Sequence, residues 1–210
     1  MHKIAISPAA LDRMTERMGK QHPFGTIEPR KAALLVIDMQ NYFVKRGVLG
    51  EIPLARDIVP NINRLARRPA PAQRPCHVDS QRHERHAGQL VDFPRMPNDA
   101  GPQRAALRGN GYRRRRLHSG LFRVETYLRD RGIDTLLIAG TATNICCESS
   151  ARDAMMLNFK VIMVSDALAT HTDEEHNATL SAFYGQFGDV QTTDEALQAL
   201  ERGDKARAAA

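Results

Sequence analysis

The sequence predicts a three-layer α/β/α domain built round a mostly parallel sheet. Three observations carry that expectation. AALLVIDM at 32–39 and TLLIAG at 135–140 are unbroken apolar runs of strand length, the pattern of strands buried on both faces. From Glu125 onward, strand-like and helix-like stretches alternate, as they do in parallel sheets covered by helices. The length of 210 residues suits one domain, 1–210, with residues 1–25 as an N-terminal extension. A chain of that size buries about 70% of its unfolded surface and needs no disulfide staples.

The elements follow in order. MHKIAISPAALDRMTERMGK opens the chain as an amphipathic segment, without the apolar stretch and small-residue cleavage site of a signal peptide. The strand at 32–39 comes after the turn signal Glu28-Pro29-Arg30. PLARDIVPNINRLAR at 53–67 puts Leu54, Ile58, Ile62 and Leu65 on one helical face, with Pro60 placed to kink it. ETYLRDRG ends a helix, with arginines in its last turn and Gly132 as C-cap. After the strand at 135–140, NICCESSARDAMMLN at 144–158 reads as helix and KVIMVSDA at 160–167 as strand. TDEEHNATLSAFYGQFG at 172–188 reads as a helix opened by a Thr with Glu three residues on. A short strand and a helix capped at Thr193 close the chain.

The stretch 68–124 shows no sustained period of 2 or 3.6, yet an α/β domain needs strands there. It holds six of the 11 prolines and four of the eight histidines. A structureless insert that long inside a compact domain is itself an anomaly. It also explains the charge. Arg67 to Val124 carries 13 Arg against four acids, so the net +6 of the chain is +9 there and −3 elsewhere. A basic nucleic-acid-binding protein is the alternative such a balance raises, but the basicity is confined to one segment. No apolar run approaches the roughly 18–20 residues of a membrane span. The three cysteines are an odd count, and Cys146 and Cys147 are adjacent, which argues against a disulfide framework and points to a reducing cytoplasm.

Two residues carry chemistry. Sites in open parallel sheets form beyond the carboxyl ends of strands, and Asp38 ends its strand there; a turn or helix cap is the plain alternative for it. Cys146 follows the strand at 135–140 and the turn TATN, in the first turn of the next helix. Free N–H groups and the helix dipole favour a thiolate there and can stabilise an oxyanion. A nearby carboxylate would take the thiol proton. Cys147 faces another way and suits a buried structural cysteine.

DMQNYF at 38–43, GTATNICCESSARDA at 140–154 and VIMVSDALAT after it resemble the isochorismatase-like cysteine hydrolases, among them isochorismatases, nicotinamidases, and N-carbamoylsarcosine and ureidoacrylate amidohydrolases. The resemblance covers about 1–66 and 125–200. It implies a Rossmann-like fold, Cys146 as nucleophile and Asp38 as general base. It further implies an oxyanion hole from the N–H groups of Ala142 and Cys146, with a cis peptide before Ala142. The substrate would be a small amide, carbamoyl or isochorismate-like molecule and the protein a homo-oligomer. Some relatives bind zinc through an Asp-x-His pair, a spacing this chain lacks, so no metal is expected, nor any cofactor, membrane or nucleic-acid partner. The family's third catalytic residue is a Lys, and this chain has none between Lys45 and Lys160. Its place by spacing is near Arg113, and arginine does not readily exchange a proton. A catalytically inactive relative is therefore the other expectation.

The excess of Arg, Pro, His, Ala and Gln in 68–124 also predicts that this stretch is translated out of frame. HVDSQRHERHAGQLVDFPR, back-translated and shifted by one base, can read MWTRNATNGTPGSWSTFHE, which resembles the family's second strand and the loop after it. A divergent insertion is the alternative. Cys76, His77, His83 and His86 resemble a metal cluster in type but not in spacing. Arg113–Arg116 suits a phosphate or nucleic-acid patch, and His118-Ser119 only superficially suggests a nucleophile pair.

Overall fold

The structure, a computed structural model, describes residues 1–67, the backbone of 76–78, and 124–209. The anomalous stretch lies outside the described residues save for that short strand and Val124. So do the reading-frame expectation, the side chains of Cys76 and His77, and His83, His86, Arg113–Arg116, His118 and Ser119.

Helix α1 (Pro8–Met18) is amphipathic as expected, with Ala10 and Met14 buried; two short helices, α2 (Asn41–Val44) and α4 (residues 124–129), come later in the chain. Strand β1 (Ala32–Ile37) and strand β3 (Thr135–Thr141) are buried along their whole length. Strands β2 (Cys76–Val78), β4 (Lys160–Ala169) and β5 (Asp189–Gln191) complete a sheet of order β2-β1-β3-β4-β5. All four pairings are parallel. The expected α/β class holds.

The apolar runs are continuous because side chains alternate between two covered faces. Ala33, Leu35 and Ile37 of β1 join Leu136, Ile138, Val161 and Met163 in a core with α1, helix α5 (Glu148–Met156) and helix α6 (Asp173–Phe183). Ala32, Leu34 and Val36 join Leu137, Ala139, Ile162 and Val164 in a second core with helix α3 (Val59–Arg67) and helix α7 (Thr193–Ala208).

Four expected elements are corrected. Residues 53–67 are not one kinked helix: a 3₁₀ turn at Pro53–Arg56 precedes α3, and Pro60 falls in the first turn of α3, where its missing N–H costs nothing. The helix expected over 172–188 stops at Phe183, because the backbone becomes extended at the buried Tyr184, which bridges Gly188. The last helix is capped by Thr192, whose hydroxyl receives the Glu195 N–H in a reciprocal capping box, so Thr193 is already helical. Cys146 does not lie in the first turn of α5 but in a π-helical turn, Thr143–Cys147, leading into it.

Candidate active site

The pairing of Ile37 with Gly140 places Asp38 and Thr141 side by side beyond the carboxyl ends of the two central strands. Asp38 is buried and holds φ at 51°, a left-handed conformation that Asp tolerates better than most residues. Its carbonyl accepts the Thr141 hydroxyl at 3.0 Å. Gly140 has φ 118°, and a β-carbon there would stand 2.1 Å from the Ile37 carbonyl oxygen. Only glycine lets β3 pass β1 so closely.

The chain then turns sharply. The Thr141–Ala142 peptide is cis, as the family resemblance implies. The Ala142 carbonyl accepts the N–H groups of Ile145 and Cys147, each at 3.1 Å, which closes the wide π turn. Cys146 sits half-buried on this turn and Cys147 is fully buried in the core, as the sequence led us to expect of the pair. Burial pushes the Cys147 thiol well above its ordinary range, and electrostatic repulsion from Cys146 and Asp38 adds to the push.

Two side chains outside the turn grip it. Thr143 Oγ1 and His176 Nδ1 share a hydrogen bond at 2.9 Å, and both residues are fully buried. The Thr170 hydroxyl donates to Asn144 Oδ1 at 2.6 Å. Glu148, at the start of α5, accepts the Thr179 hydroxyl at 3.1 Å and two N–H groups of Arg152 at 2.9 and 2.6 Å. Burial, with the neighbouring His2, lowers the His176 pKa to about 4, so its imidazole is neutral at pH 7.

Sequence reasoning missed His176, Thr170 and His2. A signal for His176 was present: with Thr179, Leu180 and Phe183 it forms one i, i+3, i+4, i+7 stripe of α6, the buried stripe. No local pattern marks His2. The position expected for the family's Lys, near Arg113, lies outside the described residues. Among the described residues no helix is long and apolar enough to cross a membrane.

The family model for the isochorismatase domain matches residues 32–195, most of the chain. The chain belongs to the isochorismatase family. Among family relatives, enterobactin synthase component B of Escherichia coli K12 is 31% identical over 85% of this chain and 67% of its own length. An uncharacterized isochorismatase family protein of Bacillus subtilis, YwoC, is 44% identical over 37% of this chain, and the match spans only 41% of that relative's length. The crystal structure of an isochorismatase-like hydrolase from Alkaliphilus metalliredigens superposes with a TM-score of 0.59 at 31% identity, covering 81% of this chain and 96% of that one.

Proposed function

We propose that this isochorismatase-family chain is a cysteine hydrolase acting on a small amide, carbamoyl or isochorismate-like molecule. The observation that carries the proposal is that Asp38 and the turn bearing Cys146 both follow the carboxyl ends of the paired central strands β1 and β3. With an amide, the Asp38 carboxylate takes the Cys146 proton as sulfur attacks the carbonyl carbon. The N–H groups of Ala142 and Cys146 receive the developing oxyanion. Asp38 returns the proton to the nitrogen, the C–N bond breaks, and the amine leaves. Water then attacks the thioester and gives its proton to Asp38. Collapse releases the acid and restores the thiol. Residence in the cytoplasm and assembly as a homo-oligomer belong to the same proposal.

A panel of nicotinamide, N-carbamoylsarcosine and isochorismate, followed for product release, tests it. Turnover of one of them that disappears in Cys146→Ala and Asp38→Asn is the expected result. Turnover that survives Cys146→Ala overturns the mechanism. One observation favours a second reading, an inactive relative: no Lys occurs between Lys45 and Lys160. Absence of turnover with a correctly folded, correctly translated chain establishes that reading instead.

A further inference from the structure

His176 and His2 form one buried pair behind the Cys146 turn. Their rings stack with centroids 4.2 Å apart and planes 17° from parallel. His2 is held by both ring nitrogens: Nδ1 donates to Asp173 Oδ1 at 2.7 Å, and Nε2 accepts the Thr170 N–H at 2.9 Å. A carboxylate only accepts and an N–H only donates, so these partners define the tautomer. Residues 3–7 run along α6, with Lys3 and Ala5 donating N–H groups to Asp173 and Asn177, and Ser7 to the Ser181 hydroxyl. The ring of His2 is thereby fixed against the ring of His176.

Two adjacent residues of the turn hang on this pair. Thr143 is bonded to His176, and Asn144 to Thr170, whose backbone N–H is in turn bonded to His2. An apolar side chain at 176 would leave no ring nitrogen short, but it would strip the buried Thr143 hydroxyl of this partner. The imidazole leaves Nε2 with no hydrogen bond of ordinary length, although the Ser165 backbone is near enough to favour its protonated form. What the ring supplies that an apolar residue cannot is the bond to Thr143, three residues before Cys146.

We propose that His176, braced by His2, is a positioning residue for the reaction: it holds the Thr143–Cys146 turn so that the Cys146 thiol and the backbone N–H groups around it stay aimed at one point. This rests on Cys146 being the nucleophile. The two claims separate experimentally through site-resolved alkylation of Cys146 by iodoacetamide across a pH series, with kcat and KM for whichever panel substrate is turned over. In the unmodified chain Cys146 alkylates with a midpoint below that of a free cysteine. His176→Phe and Thr143→Val move that midpoint back toward the free value and lower kcat by roughly 10–100-fold with KM little changed, the penalty expected of a small misplacement. His176→Gln, whose amide can still meet the Thr143 hydroxyl, recovers most of the loss. His2→Ala shows the same change, smaller. An ordinary Cys146 thiol in the unmodified chain overturns both claims. An activated thiol unchanged in His176→Phe, with only the melting temperature lowered, overturns the positioning role alone.

Discussion

The Thr141 hydroxyl donates to the Asp38 carbonyl at 3.0 Å, inside the core, across the ends of the two central strands. This bond joins the carboxylate-bearing end of β1 to the turn that carries Cys146. The close approach it accompanies depends on Gly140. Gly140→Ala would force a β-carbon to 2.1 Å from the Ile37 carbonyl oxygen at a φ of 118°. Strain and clash together cost about 3–5 kcal/mol. Urea unfolding would measure it, and a loss under about 1 kcal/mol would mean the strand ends separate without penalty.

Cys146 and Cys147 separate cleanly by burial. Under the proposed mechanism, Cys146→Ala is expected to abolish turnover with circular dichroism unchanged. Cys147→Ala keeps turnover near the original and costs about 1 kcal/mol, because it removes only a buried sulfur. Modification of Cys147 ahead of Cys146 under native conditions would reverse the assignment, since the Cys147 thiol is fully buried and pushed well up.

Under the proposed mechanism, Asp38→Asn keeps the shape of the site and removes the base. A fall in kcat of about 10²–10⁴-fold is expected, with circular dichroism unchanged. Retained activity would show that another group takes the thiol proton.

Acid destabilises the protein through His176. Its folded pKa, about 4, lies below the unfolded value of 6.5, so the native state binds fewer protons. The stability held by the neutral ring is complete above pH 6.5 and is lost as pH falls toward 4. About 3 kcal/mol is at stake. His176→Gln should flatten unfolding free energy over that window; an unchanged pH slope would contradict it. His22 acts in the opposite sense. Its hydrogen bond to the buried Asp189 raises its pKa, so its contribution is complete below pH 6.5 and fades as pH rises through the raised value.

Sequencing the coding DNA across codons 60–130 is expected to show two compensating single-base changes, with a Lys codon in the restored frame ahead of the helix at 124–129. If the DNA encodes the chain as written, the Lys is absent and little or no hydrolysis is expected from it.

The sequence by itself determined the two central strands, the order of strands and helices after Glu125, and the place of Asp38 at the end of its strand. It could do so because continuous apolar runs, caps and strand-end positions are local features, read within a dozen residues. Tertiary structure alone decided that Cys146 rides a π turn rather than a helix, and that Gly140 passes against Ile37. It alone decided that His2 crosses the chain to stack on His176 behind Thr143. The contacts among Gly140 and Ile37, Thr143 and His176, and His2 and His176 join residues 33 to 174 positions apart, and no local pattern of side chains encodes which distant surface a buried imidazole will meet.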